Sequence, residues 1–197
     1  MDRRRFAGVL AGALGASALI PRAVMGRLGQ EQPLIDGARL QGWIRGLARF
    51  GARGDGGVDR VAFSDAEVEG RAYVRSLMEE AGLKVRIDLA GNLLGREEGG
   101  EAGLSPVLLG SHIDSVPSGG RYDGSVGVLG GLESVLTLKE AGVRLRHPVE
   151  VVAFVNEEGG KTGSRMLAGE FREEELRLET ASGYTIEEGI RRLGGDP

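Results

Sequence analysis

Three short clusters carry most of the chemistry that this chain can offer: His112-Ile113-Asp114, Tyr122-Asp123-Gly124 and Asn156-Glu157-Glu158-Gly159. They follow one another within fewer than fifty residues. Together they hold one imidazole and four carboxylates, a ligand set suited to zinc or manganese and to hydrolysis. No other stretch has comparable density. The pattern points to a metal-dependent hydrolase.

Each cluster alone has a plainer reading. His112 can give a neutral imidazole nitrogen to a metal, and Asp114, two residues on, faces the same side of an extended segment. From there it can hold the other ring nitrogen and fix the tautomer. An isolated His-x-Asp is also what a strand-end histidine capping a turn looks like. Asp123 sits in the Gly-rich run Gly119-Gly120-Arg121-Tyr122-Asp123-Gly124, where backbone can approach a ligand closely; by itself it reads as an Asp-Gly turn. Glu157 and Glu158 follow five apolar residues, and adjacent carboxylates there are costly unless a cation pairs with them. A metal ligand, Glu158, beside a general base, Glu157, is one economical explanation; a solvated acidic loop is the other. The metal reading rests on the three clusters converging.

The elements around them allow that. Asp36 can cap a helix whose apolar positions Leu40, Trp43, Ile44, Leu47 and Phe50 follow helical spacing. Ser64-Asp65-Ala66-Glu67 reads as a capping box for a helix that Gly82 stops near Ala81. Lys84 to Asp88 alternates as a strand, and Asn92 to Gly95 can extend another. Pro106 to Ser111 is a continuous apolar run, expected to be a strand buried on both faces. Gly127 to Ala141 reads as a helix. Val149 to Val155 is the strongest strand and belongs at the centre of a sheet. Thr185-Ile186-Glu187-Glu188 opens a last helix that stops near Gly194. The order predicts an α/β fold: a central, mostly parallel or mixed sheet flanked by helices (αβα). His112, Asp114 and Glu157 directly follow apolar strands, where functional loops of such sheets lie. The Gly127 helix crosses between the two strands, so their ends can lie side by side.

Composition narrows the function classes. The 197 residues suffice for one domain with a core. The formal net charge of −4 argues against a nucleic-acid partner. With no cysteine, a thiol nucleophile, a thiolate metal site and disulfides are excluded. At the N-terminus, Asp2-Arg3-Arg4-Arg5-Phe6 precedes an apolar run from Phe6 to Ile20. As a helix that run would be about 22 Å long, short of the ~30 Å hydrocarbon core, so no stable membrane span is expected. A basic head and a short apolar run read as a signal peptide over 1–25, followed by a linker over 26–33. The Arg-Arg-x-Phe order is similar to a twin-arginine signal, which implies export to the periplasm or beyond. A frayed amphipathic helix or an anchor is the competing reading.

The segments Gly110 to Pro117, Gly119 to Gly124 and Val152 to Gly159 resemble the M20-type metallohydrolases. The nearest branch is the amidase, hydantoinase and carbamoylase group: N-carbamoyl-amino-acid hydrolases, β-ureidopropionases and allantoate amidohydrolases. Gly56-Gly57-Val58, Arg60 to Ser64, Ala81-Gly82-Leu83, Asp88 with Gly91-Asn92-Leu93, and Gly163-Ser164-Arg165 with Leu167-Ala168-Gly169 extend the likeness from about Leu34 to the end. The resemblance implies that residues 34–197 are the N-terminal part of a metallopeptidase-like catalytic domain, incomplete in this chain.

It implies two divalent ions, zinc or else manganese or cobalt. His112 would bind one, Asp123 would bridge both and Glu158 would bind the other. Glu157 would be the general base and Asp114 the group that orients His112. The implied substrate is a small N-carbamoyl or ureido acid cleaved at a non-peptide C–N bond. An exopeptidase or deacylase of the same superfamily is the alternative, and a truncated, non-catalytic metal-binding remnant is another. Full-length relatives would be homodimers through a domain absent here. Two departures stand out. The family's other two histidine ligands would lie beyond residue 197; the only other histidine, His147, precedes a strand, where a surface or turn role is expected. The stretch between Glu158 and Gly163 is also shorter than the family pattern, which bears on the local substrate pocket.

Overall fold

The computed structural model describes residues 32–197. The signal-peptide and twin-arginine readings, and most of the linker, lie outside the described residues. Leu34–Pro197 forms one compact unit. Among the described residues no helix is long and apolar enough to cross a membrane.

Helix α1 (Gly37–Leu47) starts where expected: the Asp36 carboxylate accepts from the amides of Ala38 and Arg39. Helix α2 (Asp65–Glu80) is capped by the Ser64 hydroxyl, which accepts from the Glu67 amide. The expected capping box is only half formed. The Glu67 carboxylate is buried and accepts from the Phe63 amide, one residue before the cap. Phe63 has φ 66°, which turns its N–H toward that carboxylate.

Four strands follow the helices: β1 (Lys84–Ile87), β2 (Leu93–Glu97), β3 (Val107–His112) and β4 (Val149–Phe154). They form one sheet in the order β1-β2-β4-β3. The β1–β2 and β2–β4 pairs are antiparallel and β3–β4 is parallel, so the sheet is mixed. Helix α3 (Ser125–Glu140) is the crossover between β3 and β4. Strand β4 is interior, as its run of apolar residues predicts, and its first five residues are buried.

Helices α1, α2 and α3 pack over the face that carries Leu93, Val149, Val151 and Ala153. Leu47, Met78, Leu129 and Leu132 fill that core. The opposite face holds an ion cluster, with Arg86 and Arg96 both on the buried Glu150. Helix α4 (Thr162–Ala168), a 3-10 turn (Glu173–Arg177) and helix α5 (Ile186–Arg192) complete the chain. A second cluster of Phe63, Val155, Ile186 and Ile190 ties α5 to the end of β4.

The expectation for Pro106 to Ser111 needs correction. Among the described residues β3 is an edge strand, with Val107 48% and Leu108 39% exposed. A continuous apolar run reports the chemistry around a strand and not its rank in the sheet.

Candidate metal centre

The parallel pairing of β3 and β4 sets the site. His112 is opposite Phe154 in the register, so the residues that follow each strand emerge side by side at the carboxyl edge of the sheet. Helix α3 begins between them and brings Asp123 with it. One donor atom each from His112, Asp123 and Glu158 lies within 4.8 Å of the others. His112 is buried, and the two carboxylates are exposed.

Gly124 explains how Asp123 comes so close. It has φ 62°, and a Cβ there would lie 2.5 Å from the His112 ring. A side chain cannot fit, so Asp123-Gly124 is more than a turn: its glycine admits the imidazole beneath the backbone.

The His112 ring is held from one side. Its Nδ1 is 3.0 Å from the Asp114 carbonyl and 3.4 Å from Asp114 Oδ1. A proton on Nδ1 leaves Nε2 with a free lone pair, and Nε2 lies 3.8 Å from Glu157 Oε2. Asp114 therefore acts on the ring through both its carbonyl and its carboxylate. Its other oxygen, Oδ2, accepts from the Glu158 amide at 3.1 Å. One buried carboxylate thus touches both the histidine and the glutamate segment, while its Oδ1 has no hydrogen-bond partner within the usual distance.

Charge in the site is unbalanced. Burial works against a charged His112, but Asp114 and Glu157 outweigh it and push the imidazole up to about 9. Loss of solvent pushes the Glu158 carboxyl up, and the charges of Asp123, Asp114 and Glu157 add to this against the pull of His112. A carboxyl raised by its neighbours in this way is relieved by a cation. The nitrogen and oxygen donors suit zinc, manganese or cobalt. The residues present therefore fit a divalent ion held by His112, Asp123 and Glu158.

Two buried polar residues support this layer. Neither stands out in the sequence except within the family-like segments. The Arg60 guanidinium donates to the carbonyls of Ile113 (2.6 Å), Leu47 (3.1 Å) and Phe50 (3.0 Å), and to the Ser125 hydroxyl (3.3 Å). It braces the peptide between His112 and Asp114 against α1 and the start of α3. Asn92 holds the end of β4. Both are almost wholly buried polar residues in short loops flanking apolar elements; that contrast is the only local signal they give. A cavity of about 180 Å³ adjoins Glu158, lined in part by Val61, Ala62, Val116, Pro117 and Thr180. His147 is exposed and takes no part in the site; its Nδ1 is 2.8 Å from the Ser105 carbonyl.

With this geometry in hand, the likeness to known proteins is specific. Residues 108–196 match the model of Peptidase family M20/M25/M40. The N-carbamoyl-L-amino acid amidohydrolase of Geobacillus stearothermophilus is 44% identical over 169 residues, covering 83% of this chain and 41% of that protein. The ureidoglycolate hydrolase of Oryza sativa subsp. japonica is 43% identical over 140 residues, covering 68% of this chain and 29% of that protein. A hydantoinase/carbamoylase family amidase from Burkholderia ambifaria superposes with a TM-score of 0.78 at 39% identity, over 83% of this chain and 42% of that one. The chain thus spans less than half the length of the curated relatives it matches.

Proposed function

We propose that this chain belongs to the M20-type metallohydrolases, in their hydantoinase/carbamoylase branch, and forms part of the active site of a hydrolase. The bond cleaved is the non-peptide C–N bond of an N-carbamoyl or ureido acid. The observation that carries this reading is the convergence of His112, Asp123 and Glu158 within 4.8 Å, with Glu157 beside the imidazole. The amidohydrolase and ureidoglycolate hydrolase names of the relatives support the substrate class.

In this reading His112, Asp123 and Glu158 would together hold two divalent ions. When bound they supply Lewis-acid polarisation of the scissile carbonyl and make water acidic near neutral pH. The chain's own residues do the rest. Asp114 holds the imidazole in one tautomer and one orientation. Glu157 takes the proton of the attacking water as the new C–O bond forms, and returns it to nitrogen as the C–N bond breaks. Arg60 keeps the His112–Asp114 peptide from shifting.

The test uses the protein at its full natural length, loaded with zinc, manganese or cobalt. Amine release from N-carbamoyl amino acids and from ureidoglycolate is measured. Glu157→Gln should lower turnover by ~10²- to 10⁴-fold, the range for a lost general base, with metal content retained. Unchanged turnover in that variant would remove Glu157 from the role. Metal analysis giving two ions per chain supports the two-metal arrangement, and a mass of two chains in light scattering supports a homodimer.

Export by the twin-arginine route belongs to the same proposal and rests on Arg3, Arg4 and the apolar run after them. A reporter fused behind residues 1–30 should leave the cytoplasm, and Arg3→Lys with Arg4→Lys should retain it.

A further inference from the structure

We infer that Asn92 is a positioning residue for the Glu157–Glu158 loop, setting the base and the metal-binding carboxylate from a neighbouring strand. This rests on the roles proposed above for those two glutamates. Asn92 is fully buried, just before β2. Its side chain uses every donor and acceptor it needs. Oδ1 accepts from the Val155 amide at 3.0 Å, and Nδ2 donates to the Gly163 carbonyl at 3.2 Å and to Asp88 Oδ2 at 2.9 Å. Asp88 also accepts from the Asn92 amide through Oδ1 at 2.8 Å, which locks the Asn92 backbone and side chain together.

The two outer partners are the two sides of one loop. The β2–β4 ladder ends at Ala153, so the Val155 amide has no strand partner there. Asn92 replaces that missing strand. Across the loop's neck, the Gly163 amide donates to the Val155 carbonyl at 2.9 Å, and Asn156 Nδ2 donates to the Thr162 hydroxyl at 2.9 Å. Glu157 and Glu158 lie just past this neck. Within the loop the Glu157 carbonyl accepts from the Lys161 amide at 2.9 Å, and from outside it Asp114 accepts from the Glu158 amide. A loop held only at Asp114 could pivot, whereas one also clamped at its neck cannot.

Gly163 shows how tight the clamp is. A Cβ there would lie 2.0 Å from Asn92 Oδ1 and 2.6 Å from the Val155 nitrogen. An aspartate at position 92 would keep the acceptor for Val155 but lose both donors and face Asp88 with like charge. The same contacts also close the Asp88–Asn92 turn, so a purely structural role must be separated from a positioning one.

The experiment uses the 197-residue chain. Zinc affinity by chelator competition, the visible spectrum of the cobalt form and amide hydrogen exchange of the metal-free form are compared. Asn92→Asp should keep the overall circular dichroism, weaken zinc by ~10- to 100-fold as for other outer-shell partners, and alter the cobalt spectrum. Exchange should quicken in residues 155–163 while α3 stays protected. Adding Asp88→Asn restores a hydrogen bond between positions 88 and 92 with the roles exchanged, and should recover most of the zinc affinity. Gly163→Ala presses on the same contact without touching Asn92 and should reproduce the defect; it carries the test if Asn92→Asp does not fold. Wild-type affinity, spectrum and exchange in a folded Asn92→Asp or Gly163→Ala chain would overturn the inference. If the unsubstituted chain binds no metal, the zinc and cobalt readouts give way to exchange, and the functional reading is decided by the full-length test above. The exchange measurement then decides for Asn92 alone: faster exchange confined to 155–163 supports it, and unchanged exchange overturns it.

Discussion

The chain's two histidines lie at opposite ends of the same parallel strand pair, and each ring nitrogen Nδ1 meets a backbone carbonyl. His112 Nδ1 is 3.0 Å from a backbone carbonyl, and His147 Nδ1 is 2.8 Å from one. His112 is held by the segment that follows it, and His147 by the connection between β2 and β3. What separates them is the end of the sheet they occupy. At the carboxyl end, β3, α3 and β4 deliver Asp123, Glu157 and Glu158 around a buried ring. At the other end His147 is exposed on the rim of a largely apolar cavity of about 290 Å³ that includes Leu138, Val143 and Leu145. An oriented imidazole is therefore common to both, and convergent carboxylates are not.

The largest effect expected to test this contrast is on metal binding. His112→Ala should weaken zinc by more than the ~100-fold that bounds the loss of an outer-shell partner, while His147→Ala leaves it unchanged in competition titration. Equal losses in both would break the comparison.

The supporting arginines should differ next. Arg60→Met leaves the carbonyls of Ile113, Leu47 and Phe50 without their donor, and should lower unfolding free energy by on the order of 3 kcal/mol. Arg146 pairs with Glu101 in solvent at 2.6 Å, where water screens the pair, and Arg146→Met should leave unfolding free energy nearly unchanged. Urea denaturation of the two variants checks both, and a loss of that size in Arg146→Met would contradict the contrast.

A smaller, graded effect concerns pH. The folded metal-free chain holds the His112 proton up to about 9, against 6.5 for the unperturbed group. That stabilisation is complete below pH ~6.5 and is lost as pH rises through about 9. Metal needs the neutral ring, so zinc affinity should rise roughly tenfold per pH unit from neutrality toward that value and then level off. His112→Gln should flatten the stability slope, and His147→Gln should retain it. Thermal unfolding across pH measures this directly.

The smallest effect expected is on stability at the far end. His147→Ala should shift it by no more than ~0.5 kcal/mol, as for other surface sites. A larger loss would show that the hydrogen bond to Ser105 carries structural weight.

Much of this is legible in the sequence. Asp36 and Thr185 cap their helices because their side chains act on amides two and three residues away. The interior place of β4 follows from the apolar run Val151 to Val155. The donor types of His112, Asp123 and Glu158 and the closeness of β3 and β4 across one helix were also readable, since a crossover between strands constrains where both end.

Other features depend on partners distant in sequence, which local pattern does not encode. The Pro106–Ser111 run looked doubly buried, yet β3 is an edge strand among the described residues, because strand rank depends on which segments pair. Glu67 looked like half of a capping box, yet its carboxylate turns to Phe63 inside the protein. Arg60 reaches Ile113 across 53 positions, and Asn92 reaches Val155 across 63. The sequence by itself determined which atoms were available to hold a metal and which strands would carry them. Tertiary structure alone decided that Asp114, expected beside His112, would also hold the Glu158 amide, that Gly124 would admit the imidazole, and that Asn92 would clamp the glutamate loop. Hydrogen bonds act over about 3 Å of space whatever the separation along the chain.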